Sequence, residues 1–388
     1  MITATPLTRQ LSTGQPPRWQ RELARAITDP LELCRTLGLD PATAVPAAAV
    51  GFRLRVPRGF VARMRHGDPA DPLLRQVWPD ARELVETPGF SPDPLDEGTF
   101  RRAHGLLHKY HGRALLITTG ACAIHCRYCF RREFPYEDQG QAQHQGHGGV
   151  ARSRPQGQAP GHIAGHAGES ASGDAEQPPM AGDSSAFPAR WQEALTAIAA
   201  DASIEEIILS GGDPLSLSDA RLAAISSALA TIPHVRRLRI HTRQPIVLPE
   251  RVDAGLLDWL GTLRWPVTIV VHSNHANEID AGVRAALLQL RATGALLLNQ
   301  SVLLAGINDE VAALRALSLS LHEAGVVPYY LHLLDPVRGA AHFNVDEERA
   351  RTLVGELAAS LSGYLVPRLA REQPGAPAKL TLPPILPS

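Results

Sequence analysis

Six short apolar runs limit what this chain can fold into: "RALLITTG", "EEIILSGG", "VRRLRIHT", "VTIVVHS", "ALLLNQSVLL" and "VVPYYLHLL", spread from residue 113 to residue 334. Each is followed by a polar loop and usually by an alanine-rich stretch of helical period. Continuous apolar strands alternating with helices argue for an α/β fold whose parallel sheet is buried on both faces. Six repeats are too few for a closed eight-stranded barrel and predict an open, partial (β/α)6 barrel of TIM type. In such a fold the chemistry sits where strands end, and "GACAIHC", "GGDPL", "HTRQP", "HSNHANE", "AGIND" and "LDPVRG" all fall at strand exits.

The remaining chain divides around this core. Residues 1–100 read as a mainly helical N-terminal region, 101–363 as the barrel and 364–388 as a C-terminal segment. Residues 138–188 are dominated by Gly, Ala, Gln, His, Ser and Pro and predict a disordered insert, since too little apolar surface is available to offset ordering entropy. Its histidines are irregularly spaced, which argues against a metal site. A chain of 388 residues with 44% hydrophobic content and a net charge of -1 is globular, with no global field for nucleic acid or an anionic membrane. Its partners are expected to be small molecules. The start "MITATPLTRQLSTGQPPRWQ" has no apolar core of a secretory signal, and no run approaches the roughly 18 residues of a membrane span. A cytoplasmic location is expected.

Three of four cysteines, Cys122, Cys126 and Cys129, lie in "GACAIHCRYCFRR". Adjacent thiols in a long chain of low cysteine content read as a metal or redox site. Cys34, on an apparent helix, reads as a buried structural thiol. A closed zinc site or a ferredoxin cluster needs a fourth ligand; His125 is the candidate for zinc, and the alternative is a [4Fe-4S] cluster with one open iron. The spacing, with an aromatic residue before the third cysteine, resembles the radical S-adenosylmethionine superfamily, in which that iron binds S-adenosylmethionine. "SGGDP" resembles the same family's glycine-rich stretch beside the methionine amino group, with Gly211 and Gly212 permitting close backbone approach and Asp213 supplying an acceptor.

Only Lys109 and Lys379 among 38 basic residues are lysines, so imine chemistry has two candidates. "SGYLVPRLAREQPGAPAK" resembles the C-terminal signature of lysine 2,3-aminomutases, whose equivalent lysine holds pyridoxal phosphate. "LLHKYHGRALL", "CRYCFRR", "SGGDPL", "HTRQPIVLP", "NQSVLLAGIND" and "LHLLDPVRGAAHF" extend that resemblance over roughly residues 50 to 385. It implies a radical aminomutase with a [4Fe-4S] cluster, S-adenosylmethionine and pyridoxal 5'-phosphate, moving the amino group of lysine from C2 to C3, with Lys379 as the pyridoxal anchor. It also implies an electron donor of flavodoxin or ferredoxin type.

By the same resemblance Arg131 pairs bidentately with the substrate carboxylate, and Asp335 and Glu372 hold the distal ammonium. Glu372 stands where the clostridial-type enzymes have aspartate. "HSNHANE" and "KLTLPPILPS" lack the cysteines that bind zinc between subunits in catabolic relatives, so no zinc is expected and any homo-oligomer should differ from theirs. Glu372, the short C-terminus and "FRLRVPRGFVARMRHGDPADPLLRQVWP" resemble the branch that makes (R)-β-lysine, ligated by a lysyl-transferase onto elongation factor P. A catabolic or osmolyte-producing lysine 2,3-aminomutase, or one acting on another amino acid, is the alternative. A cluster protein that only carries electrons would have no use for Lys379.

Overall fold

The computed structural model describes residues 15–43, 46–136 and 189–388; the insert expected at 138–188 lies outside the described residues. Among the described residues ten strands form a single sheet ordered as they occur in the chain. They are β1 (Arg101–Ala103), β2 (Leu106–Tyr110), β3 (Arg113–Thr119), β4 (Glu206–Gly211), β5 (Arg237–Thr242), β6 (Val267–His272), β7 (Leu296–Val302), β8 (Val327–His332), β9 (Arg368–Arg371) and β10 (Leu380–Thr381). Strands β3 to β9 are parallel, and an antiparallel ribbon flanks them on each side. The sheet is not closed; β1 and β10 are its edges.

The six apolar runs form β3 to β8, and β9 is an additional parallel strand. Helices fill the parallel connections: Ala189–Ala200, Asp219–Ala230, Ala254–Gly261, Ala281–Ala292, Val311–Glu323 and Glu347–Ser360. Their starts are set by side-chain caps, as where Asp280 accepts from the Val283 N–H and Asp253 from that of Leu256. Each packs one apolar stripe on the sheet, for example Leu222, Ile225 and Leu229, or Leu314, Leu317 and Leu321.

The sheet is not apolar on both faces as the runs suggest. Along each strand the side chains alternate, so that Leu238 and Ile240 are buried under helices while Arg239 and His241 face a cavity. Ser210, His272, Gln300, Tyr330 and His332 line the same cavity from neighbouring strands. The N-terminal region shares the main core: Trp19, Ile27, Leu33, Val56 and Phe60 belong to one cluster with Leu116, Leu209, Ile240 and Val271. Cys34 is fully buried on helix Pro30–Leu37. Among the described residues no helix is long and apolar enough to cross a membrane.

The C-terminal tail lies across helix Glu347–Ser360. Ile385 N–H donates to Arg351 O at 3.0 Å, and Arg351 Nε to Pro383 O at 2.9 Å. A Cβ on Gly355 would strike the Ile385 carbonyl. Although alanine favours an isolated helix by up to about 1 kcal/mol over glycine, Gly355→Ala is expected to lower the melting temperature and speed proteolysis of residues 380–388. An unchanged or higher melting temperature would show that the tail is not seated there.

Candidate active site

The cavity measures about 2050 Å³, beyond the roughly 300–1,000 Å³ typical of one small ligand, and therefore has room for several. Cys122, Cys126 and Cys129 line it on the loop leaving β3. The loop is held from behind. Arg127, with no exposed surface, donates to the Glu83 carboxylate through Nε at 2.7 Å and again through Nη2, and to Ala48 O at 3.1 Å. Arg132 Nη2 reaches the same carboxylate at 2.8 Å. Backbone bonds from His125 N–H to Arg55 O and from Arg127 N–H to Gln76 O complete the fixation.

Cys126 Sγ accepts from Arg243 Nη1 at 2.7 Å. The same guanidinium donates to Tyr128 Oη, to Gln76 Oε1 at 2.7 Å and to Glu278 Oε2 at 3.0 Å, all in the interior. Burial raises the Cys122 thiol well above its ordinary range and Cys129 to about 11, the latter aided by Cys126. Thiolates in such a place need a bound cation. His125 is turned to Arg53 O through Nδ1 at 2.9 Å and stacked on Phe52, and burial holds its imidazolium down to about 4. Among the described residues no three or more His, Cys, Asp or Glu side chains stand ready as a metal-holding group. The fit to an iron-sulfur cluster therefore rests on the donor set: three soft thiols on one loop, facing one cavity, with a cationic N–H on one sulfur.

At the exit of β4, Gly211 has φ 122° and a Cβ there would strike Thr119 O; one on Gly212 would lie 2.5 Å from Ala121 O. The two glycines bring this backbone flush against the cysteine loop, through Gly212 N–H to Thr119 O and Asp213 N–H to Ala121 O. Asp213 is buried, and its carboxylate accepts from Leu215 N–H, Thr242 Oγ1, Arg243 N–H and Gln244 N–H at 2.7 to 3.0 Å. The acceptor expected for a ligand is thus spent on tying β4 to β5. Burial raises its pKa to about 6 against those bonds.

The β9–β10 pairing places Leu380 opposite Arg371, so Glu372 and Lys379 oppose each other one step further out. Lys379 Nζ lies 2.6 Å from Glu372 Oε1. The other oxygen takes Lys109 Nζ at 3.1 Å and the Tyr110 hydroxyl, both on β2. Both lysines of the chain therefore meet on one carboxylate. Burial alone would raise Glu372, but Lys379 brings it down to about 2, helped by Tyr110 and Lys109. Asp335, after β8, lines the same cavity and is raised to about 7 by burial, against the pull of Lys379. His332 Nε2 lies 3.5 Å from Lys379 Nζ. Among the described residues the Nε2 atoms of His241 and His272 and the Gln300 amide nitrogen are buried without a hydrogen-bond partner, as befits walls that can take a polar occupant.

Arg131 also faces the cavity, but a carboxylate already holds it: Glu97 takes Nε at 2.8 Å and Nη2 at 2.6 Å. The site thus gathers Cys122, Cys126, Cys129, Arg131, Gly211, Gly212, Asp213, Asp335, Glu372 and Lys379 around one space.

No protein-family model matches the chain. It is 44% identical over 376 residues to the L-lysine 2,3-aminomutase of Escherichia coli (strain K12), covering 96% of each chain. The chain belongs to the L-lysine 2,3-aminomutase family. It is 40% identical to the relative of that name from Haemophilus influenzae, over 93% of this chain and 94% of the other, and 30% identical to that of Clostridium subterminale, over 95% and 77%. As a member of this aminomutase family the chain is an isomerase.

Sequence reading missed several residues that this aminomutase-family site depends on. Glu83, Glu97 and Gln76 lie far along the chain from the guanidinium groups they bind, and nothing local marks them; Glu278 ends the strand-exit loop "HSNHANE", but its pairing with Arg243 across 35 residues is not marked there. His241, His272 and Gln300 carry a weak signal, a polar residue near the end of an apolar run. Removing charge at Glu83 strands the buried Arg127. Glu83→Gln should cost roughly 3–5 kcal/mol, seen as a lower melting temperature and faster alkylation of the three loop cysteines. An unchanged alkylation rate would mean that other contacts hold the loop.

Proposed function

We propose that this chain is a lysine 2,3-aminomutase that converts (S)-α-lysine to (R)-β-lysine for the modification of elongation factor P. One observation carries the reading: the cysteine loop, Arg131, Asp335, Glu372 and Lys379 converge on one cavity in a chain 44% identical to a named L-lysine 2,3-aminomutase. The open sheet is read as the partial (β/α)6 barrel of radical S-adenosylmethionine enzymes, with residues 364–388 as its pyridoxal segment. The absence of cysteine from "HSNHANE" and "KLTLPPILPS", together with Glu372, supports the elongation-factor branch over the catabolic one.

In this reading Cys122, Cys126 and Cys129 hold a [4Fe-4S] cluster, Gly211 to Asp213 and the walls carrying His241, His272 and Gln300 shape the place for S-adenosylmethionine, and Lys379 holds pyridoxal phosphate. When bound, these groups supply radical initiation and an electron sink at the migrating nitrogen; a small flavodoxin- or ferredoxin-type protein supplies the electron. The chain's own part is recognition and exclusion of water. Arg131 addresses the substrate carboxylate, while Asp335 and Glu372 address its distal ammonium, so a dicationic amino acid is oriented by opposite charges at its two ends. Glu372 Oε1 becomes available once Lys379 is engaged elsewhere, whereas Oε2 stays fixed by Lys109 and Tyr110.

The test is an anaerobic assay of reconstituted protein with S-adenosylmethionine, pyridoxal phosphate, dithionite and labelled lysine, with chiral separation of products. (R)-β-lysine supports the proposal; (S)-β-lysine turns it to the catabolic alternative, and unchanged lysine defeats the substrate assignment. Lys379→Ala should abolish visible pyridoxal absorbance while iron remains bound; persistent absorbance would reject Lys379 as the anchor.

Asp335 gives the pH dependence. Its folded pKa of about 7 lies above the unfolded value of about 3.9, so its contribution to stability is full below that value and is lost as pH rises through 7. Ammonium binding has the opposite sign, because it needs the ionised form. Lysine KM is expected to rise about tenfold per unit as pH falls below 7, and Asp335→Asn should flatten that profile while raising KM. A profile that keeps its slope in Asp335→Asn would assign the titration to another group.

A further inference from the structure

Arg131 has five N–H donors in a fixed fork. Four are already engaged: Nε and one Nη2 hydrogen by Glu97, and Nη1 by Ser210 Oγ at 3.1 Å and Gly211 O at 3.3 Å. One remains. A carboxylate gripped bidentately needs two, so the pairing expected between Arg131 and a substrate carboxylate is not open while Glu97 is seated.

The pair is nearly sealed, with side-chain exposures of 6% for Arg131 and 12% for Glu97. A second carboxylate brought against it would leave a net negative charge in the interior. Glu97 itself stands on a light support. It opens the short turn Glu97–Phe100, whose neighbours Asp96, Gly98 and Thr99 are exposed. The chain enters that turn through Asp96 at φ 50°, the one non-glycine residue with positive φ among the described residues. Such a backbone is sparsely populated by non-glycine residues. Leu95 and Phe100 beside it line the cavity as well, but the Glu97 side chain belongs to none of the apolar core clusters, so it can leave Arg131 without opening apolar packing.

We infer that Glu97 is a built-in competitor for Arg131: its carboxylate occupies the seat of the substrate carboxylate and is displaced when lysine binds. This rests on the reading of Arg131 as the carboxylate site. Glu97 then sets lysine affinity and discriminates against amines lacking a carboxylate that can replace it.

Calorimetry on protein reconstituted with pyridoxal phosphate, titrated with lysine and with 1,5-diaminopentane, tests this. Glu97→Gln keeps the shape but removes the charge and one strong acceptor, and should bind lysine on the order of tenfold more tightly, with 1,5-diaminopentane unchanged. Glu97→Asp, with shorter reach and the same charge, should shift lysine affinity in the same direction by less. Weaker lysine binding in both variants, or an equal change for both ligands, would make Glu97 a positioning residue for Arg131 and overturn the inference. Wild-type protein that binds the two ligands equally would instead remove Arg131 as the carboxylate site, and the competitor with it.

Discussion

The Glu372 carboxylate is the junction on which the polar half of the site depends. It takes Lys379 from the β9–β10 ribbon on one oxygen and Lys109 and Tyr110 from β2 on the other. Those elements lie near opposite edges of a sheet that does not close through strand pairing. Side-chain charge therefore does part of what backbone hydrogen bonds do in a closed barrel, and it does so on the wall of the cavity. A hydrogen-bonded closure would fill that place with strands.

A second charge network fixes the sulfur end. Glu83 anchors Arg127 and Arg132, while Glu278 and Gln76 anchor Arg243, which reaches Cys126. Each buried guanidinium is matched by a carboxylate, as the desolvation of an isolated charge demands. The contacts fix the loop that carries the three thiols, and of the three sulfurs Cys126 takes the Arg243 guanidinium.

Much of the fold was legible because burial writes itself into local composition. The runs that became β3 to β8 are apolar enough to be read one by one, whereas β9, "RLAR", is four residues long with arginine at both ends and exposes both. The sequence also suggested apolar packing on both faces of the sheet. Polar residues at alternate positions, such as Arg239, His241 and His332, instead turn one face into a cavity wall. Family resemblance placed Arg131, Asp335, Glu372 and Lys379 in one site, but it could not show that Glu97 holds Arg131 or that Asp213 spends its carboxylate on the scaffold.

Sequence alone determined the strand–helix rhythm, the cluster of three thiols, the two candidate lysines and the family, because each depends on residues that are neighbours in the chain or on a shared motif. Tertiary structure decided which charges meet. Glu372 opposes Lys379 through the register of a two-residue strand, and Glu83 meets Arg127 and Glu97 meets Arg131 across 44 and 34 residues of chain. Coulomb energies depend on angstroms and on local dielectric, and neither is encoded in the spacing of letters.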